Sequence, residues 1–421
     1  MSNRLQFFRQ QMAAFEGSGD PRATIESGCY VNQGKKSASE IISHRLALRP
    51  SSTHLLIGGI GSGKTTELLV MRDSLNELED IYAHYVDVSL YTDLSEIVVG
   101  TLTAITGIVI AELVKDMKEQ SVKKAKESIH KYAFGYSERK ISPSRLDLDL
   151  ERLVENLTKM PKTLMNRSTE VVINHKGILN PNPTNNIDVP EYLQSLNQLN
   201  NIAKKKYGKF IMLLDGLDRL DNVQVFSQLV TSDLKTISSM DIGVVLVAPL
   251  IATLGSYRDT IEQSVNYLIY QHCFDVDKDP DAFTFFENII KVRAADGFME
   301  QSAIKSLIHY SGGVMRDLIN LTQASIEEAY LLDSDRIQEK HVEAAVDSLG
   351  RAKLLGISDK EIEIIEHLLR EGKFIPRTDE DIRLLVTNRI LEYRYPVRRY
   401  VVHPTLEPLI PQSKVGSNLN D

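Results

Sequence analysis

Residues 53–66 read Thr53-His54-Leu55-Leu56-Ile57-Gly58-Gly59-Ile60-Gly61-Ser62-Gly63-Lys64-Thr65-Thr66. The opening residues form a short apolar strand, and Gly58 to Thr65 match the pattern G-x-x-x-x-G-K-[ST]. The composition follows from the chemistry of phosphate. Glycines let backbone amides close around phosphate oxygens, and the N-terminus of the following helix adds the positive end of its dipole. In this pattern Lys64 reaches the β- and γ-phosphates of a nucleotide, and the Thr65 hydroxyl coordinates Mg²⁺. Beyond the loop, Leu68, Met71, Leu75 and Leu78 recur at spacings of three and four, one face of a helix. Tyr82 to Val88 reads as the next strand. Strand, glycine loop, helix and strand make a βαβ unit, which implies a parallel sheet.

Two further strands are legible downstream. Lys209–Asp215 and Ile242–Ala248 are continuous apolar runs, the mark of strands buried on both faces. Asp215 ends the first of them, in Asp215-Gly216-Leu217-Asp218-Arg219. A carboxylate there is costly unless a positive group faces it. Hydrated Mg²⁺ beside the phosphate loop supplies that group, so Asp215 is the candidate metal partner and Asp218 the candidate for orienting the attacking water.

The rest of the chain sorts by periodicity. A polar lead-in (1–28) precedes a core (29–275) with a helical insertion at about 112–205, inside which Asn180–Asn186 reads as a loop. Residues 276–352 are helical throughout, with apolar faces such as Phe286/Ile289/Ile290 and Ile304/Leu307/Ile308. Residues 353–411 begin with a capping box, Ser358-x-x-Glu361. Two helices follow, then two strands around Pro396, the order of a winged helix. Residues 412–421 read as a disordered tail. The fold class is therefore α/β: a P-loop parallel sheet flanked by helices, then an α-helical lid and a C-terminal winged helix.

Gly63-Lys64-Thr65-Thr66-Glu67-Leu68, Asp215-Gly216-Leu217-Asp218-Arg219 and Ser311-Gly312-Gly313-Val314-Met315-Arg316-Asp317-Leu318 together resemble the AAA+ branch of P-loop ATPases. More narrowly they resemble the signal-transducing STAND ATPases and the origin-recognition ATPases. The resemblance spans roughly residues 28–410 and implies a five-stranded core, a helical lid and a winged helix. It implies bound ATP or ADP with Mg²⁺. It places Arg316 as the lid arginine near the γ-phosphate, Tyr30 and Val31 against adenine, and His403 on bound ADP. Arg219, Arg258 and Arg293 are left as alternatives for an arginine acting in trans in a homo-oligomer. Two departures point to slow or conditional hydrolysis. Gly216 stands where a general-base glutamate is usual, and Val247-Ala248-Pro249 is apolar where many members read the γ-phosphate.

Two functions fit. The first is an ATPase switch or assembly platform for a separate effector protein, in relatives often serving bacterial defence or regulation. The second is a DNA-binding loader of the origin-recognition type, supported by Arg383, Arg389, Arg394, Arg398 and Arg399 in the winged helix. Asp379, Glu380 and Asp381 before them oppose it by repelling a phosphate backbone. A net charge of −8 over 421 residues also argues against a nucleic-acid surface covering the whole protein. Two cysteines exclude a disulfide scaffold. With so few cysteines a reducing cytoplasm is expected, and Ile97–Ala111, nearly uncharged but too short to span a bilayer, is expected as a buried helix of a protein without a membrane span.

Overall fold

The computed structural model describes residues 3–16, 21–32, 37–134, 136–140, 169–173 and 189–410. In chain order the core contains α1 (Asn3–Glu16), α2 (Pro21–Glu26), α3 (Ala38–Leu48), β1 (Thr53–Gly58), α4 (Lys64–Asn76) and β2 (Ile81–Asp87). Then come α5 (Thr101–Leu113), α6 (Gln120–Phe134), β3 (Tyr136–Lys140), β4 (Thr169–Ile173), α7 (Val189–Tyr207) and β5 (Lys209–Asp215). The core closes with α8 (Val223–Gln228), α9 (Lys235–Ser239), β6 (Gly243–Ala248), α10 (Arg258–Gln263) and β7 (Tyr267–Gln271).

Five strands pair in parallel in the order β2-β5-β6-β1-β7. The apolar runs of β1, β5 and β6 explain their places: nearly every residue in them is buried. The fifth strand, β7, was not among the four legible by composition. Its Tyr267-Leu268-Ile269-Tyr270-Gln271 sits at the sheet edge with three of five residues only half-buried, so it lacks the continuous apolar signal.

The uncharged stretch after Ile97 forms α5, almost wholly buried, as its composition requires. Asp233 caps it, its carboxylate accepting from the amides of Gly100, Leu102 and Thr103. Burial holds the Asp233 carboxyl up at about 6 against the pull of those bonds. No described helix is long and apolar enough to cross a membrane. Between α6 and α7, the described residues form an antiparallel pair, β3 with β4. The expected loop at Asn180–Asn186 and the tail at 412–421 lie outside the described residues.

The lid consists of α11 (Pro280–Lys291), α12 (Gln301–Tyr310), α13 (Met315–Leu331) and α14 (Glu339–Leu354). The periodic residues Phe286, Ile290, Leu307, Ile308 and Leu318 are its core. The N-terminal lead-in is not a free polar segment: α1 buries Phe8 and Phe15 in that lid core. Arg4 fastens it by donating to the carbonyls of Ala329, Tyr330 and Ser334.

The C-terminal module is α15 (Asp359–Glu371), α16 (Asp379–Val386) and the antiparallel ribbon β8 (Ile390–Tyr393) with β9 (Arg399–Val402). The capping box forms as read, with Ser358 N–H donating to Glu361 Oε2 at 2.8 Å. Ile365, Leu384, Ile390 and Val402 join the apolar core of the sheet, so this module packs continuously onto the α/β core.

Candidate nucleotide site

The loop between β1 and α4 is shaped for an anion. Gly63, the residue before α4, has φ +91°, a left-handed conformation that side chains rarely adopt, and α4 has no side-chain cap. Its first amides are thus left for a ligand. A Cβ on Gly63 would also meet the mobile methyl end of Met315 from the lid, so the positive φ is what reserves this position for glycine. The Ser62 hydroxyl is buried without a hydrogen-bond partner, a further polar group awaiting one.

Lys64 is 4% exposed and holds its ammonium over the loop. Its Nζ donates to the carbonyls of Gly58 (3.0 Å) and Gly59 (2.8 Å) and pairs with Asp218 Oδ2 at 3.1 Å. Asp218 therefore neutralises the loop lysine in this arrangement.

Asp215 lies at the C-terminal end of β5 and is buried. It accepts from the Tyr85 hydroxyl at 3.0 Å and the Gly216 amide at 2.7 Å, and bonds the Thr65 side chain. Burial raises its pKa, against the opposing pull of those bonds. Burial, then the Asp215 charge, raises the Tyr85 hydroxyl well above the ordinary range. Thr65 hydroxyl touching a buried carboxylate is the donor set that a phosphate-bound Mg²⁺ needs; such an ion takes few protein ligands and completes its shell with phosphates and water. The residues fit the metal.

Two cavities meet here. The first is lined by Lys64, Thr65, Thr66 and Glu67, by Tyr30 and Val31, and by Met315 and Arg316 of the lid. The second is lined by Thr65, Tyr85, Asp87, Asp215, Asp218 and Arg219, with Arg316 shared between the two. Gly61 and Gly63 also line the first cavity, while Gly58, Gly59, Ile60 and Ser62 complete the loop behind them. Arg293 belongs to the first cavity in cis, donating to Ile289 O at 2.9 Å. Arg258 pairs with Glu262 on its own helix and lines neither.

His403 is the residue placed differently from its expectation. It lines neither cavity and is fully buried between lid and winged helix. Its Nε2 meets Asp317 Oδ2 at 3.0 Å and its Nδ1 meets Thr405 Oγ1 at 2.9 Å, so both ring nitrogens are engaged. Lys353 Nζ also reaches Asp317, at 2.9 Å. Burial lowers the His403 pKa to about 4, outweighing the Asp317 bond. Burial alone would raise Asp317, but the His403 bond and the Lys353 charge hold it at about 2. His403 thus binds Asp317, the chain neighbour of Arg316.

Sequence reasoning also missed Tyr85, Asp87 and Asn388. Asn388 Nδ2 donates to Ile60 O at 2.7 Å, bringing the winged helix onto the phosphate loop itself. Only its position between α16 and β8 could have hinted at this.

A parallel sheet in this order, with a glycine loop leaving its β1 strand and an aspartate ending β5, is a P-loop nucleotide-binding fold. No family model matches the chain, and no curated protein matches it. Solved structures similar to it include the ORC2 protein of Aeropyrum pernix, in ADPNP and ADP complexes. That match has 13% identity, covers 89% of this chain and 90% of that one, and has a TM-score of 0.43. A Walker-type ATPase of Pyrococcus abyssi matches with 13% identity, 90% and 96% coverage and a TM-score of 0.44. The RuvB branch-migration motor of Thermotoga maritima matches with 12% identity, 87% and 94% coverage and a TM-score of 0.38.

Proposed function

We propose that the chain binds ATP and Mg²⁺ and hydrolyses ATP slowly, acting as a nucleotide-dependent switch or assembly platform for a separate effector protein. In this reading Lys64 and the loop amides hold the phosphates, Thr65 and Asp215 hold the metal, and Arg316 approaches from the lid. Tyr30 and Val31 flank the base. Mg²⁺, when bound, offsets phosphate charge.

The observation that carries the switch reading is the Asn388–Ile60 bond. A phosphate that draws the loop amides inward moves the carbonyl that Asn388 reads. Nucleotide state and winged-helix position are thereby coupled through one contact, which supplies the differential interaction a state change requires. The test is the nucleotide content and the mass of the purified protein with ADP and with ATP. One mass in both states, with either nucleotide bound, contradicts the switch.

The DNA-loader reading is weakened by the arginines that suggested it. Arg399 donates twice to Asp275, Arg383 twice to Glu361, and Arg394 and Arg398 both bond Glu392. Arg389 caps the carbonyls of Lys353 and Leu355. These groups serve internal contacts, so we place DNA second.

A further inference from the structure

We propose that Asp87, at the C-terminal end of β2, is the catalytic carboxylate that orients the water attacking the γ-phosphate. This rests on the ATPase reading above and names a residue for its reaction.

β2 and β5 pair in parallel with Asp87 directly opposite Asp215. Residues in register on neighbouring strands project to the same side, so two carboxylates stand abreast at the end of the sheet where the loop lies. The turn after Asp215 shows how close Asp87 comes. A Cβ built on Gly216 would sit 2.9 Å from Asp87 Oδ1. The space that a side chain at 216 would occupy is thus partly taken by a carboxylate from the adjacent strand. Asp87 also lines the second cavity together with Thr65, Asp215 and Arg316. Of the remaining carboxylates there, Asp218 has an oxygen committed to Lys64, and Glu16 sits at the C-terminal end of α1, away from the strand ends.

Asp87 Oδ1 accepts from the Ser89 amide at 3.0 Å and the Ser89 hydroxyl at 2.6 Å, which fixes the carboxylate. Those bonds use Oδ1 and leave Oδ2 for a water. In the step, the water oxygen bonds the γ-phosphorus as the bond to the β–γ bridging oxygen breaks. The electron pair leaves on ADP, and one water proton passes to Asp87.

The competing role is structural, since Asp87 caps the turn Val88–Leu90. Asn caps as well as Asp does, so Asp87→Asn keeps the cap and removes only the charge. In the full chain with ATP and Mg²⁺, Asp87→Asn should slow phosphate release about 10²-fold or more, the usual size of a general-base effect. Its ADP Kd should stay within about threefold of wild type, and Asp87→Glu should recover part of the rate. Phosphate release by Asp87→Asn at the wild-type rate overturns the proposal, as does a parallel loss of nucleotide binding. Lys64→Ala in the same assay separates the layers. If it abolishes binding while Asp87→Asn turns over normally, only the role of Asp87 fails. If the wild-type chain binds no ATP, the underlying reading fails with it.

Discussion

Asn388 Nδ2 stands 2.7 Å from Ile60 O, joining the C-terminal module to the phosphate loop across 328 positions of sequence. Asn388 has φ 55°, a left-handed conformation in which Asn and Gly are favoured. Asn388→Gly therefore removes the bond without straining the turn. It should cost about 0.5–1.5 kcal/mol, the net worth of one hydrogen bond. ADP release should quicken by roughly two- to tenfold, and amide exchange should rise in β8 and β9. Unchanged exchange and release would remove Asn388 from the coupling.

His403 makes the protein acid-sensitive. Its pKa of about 4 lies below the ordinary 6.5 because the ring is buried, facing Asp317 and Thr405 with Lys353 nearby. Between those values the unfolded chain takes up a proton that the folded one does not. Stability is therefore full above pH 6.5 and falls as pH drops towards 4, by something on the order of 3 kcal/mol from this residue. His54, also lowered to about 4 by burial, acts in the same window. The measurement is thus the difference between wild type and His403→Gln in denaturant midpoint at pH 7 and pH 5. The variant should lose less between the two; equal losses would contradict the assignment.

Arg399 donates to Asp275, whose side chain is fully buried. Removing the arginine strands a charge, and such losses run at about 3–5 kcal/mol. Arg399→Ala should lower the melting temperature by several degrees and leave duplex DNA binding as weak as in wild type. A wild-type Kd below roughly 10⁻⁸ M at physiological salt, the range of specific DNA proteins, would instead promote the loader reading.

Asp215→Asn should bind nucleotide but lose its dependence on Mg²⁺, because the carboxylate beside Thr65 is then neutral. Titrations of ADP with and without Mg²⁺ should converge for the variant and differ for wild type. A full Mg²⁺ effect in the variant would exclude Asp215 as the metal partner.

What the sequence revealed followed physical signal. The loop, β1, β5 and β6 are encoded locally, by glycine spacing and unbroken apolar runs, and the lid helices by 3.6-residue periodicity. β7 escaped because an edge strand carries a weaker apolar pattern. The role of α1 escaped because Phe8 and Phe15 pack against helices some 300 residues away. For the site, the composition that pointed to Lys64, Thr65 and Asp215 is one that phosphate and metal chemistry imposes on a short stretch. Asp87 and Asn388 depend on strand register and module packing, which no short window contains. The partners of His403, Asp317 and Thr405, likewise follow from packing and not from a local motif.

The central claim is that the loop from Gly58 to Thr66 holds the phosphates of ATP with Lys64 as their charge partner. Calorimetric titration of ATP-Mg²⁺ into the wild-type protein and Lys64→Ala tests it most directly. Wild type should bind with a measurable Kd, and the variant should show no saturable heat, because a desolvated phosphate would lose its ammonium partner. Unchanged affinity in a folded Lys64→Ala protein would contradict the account.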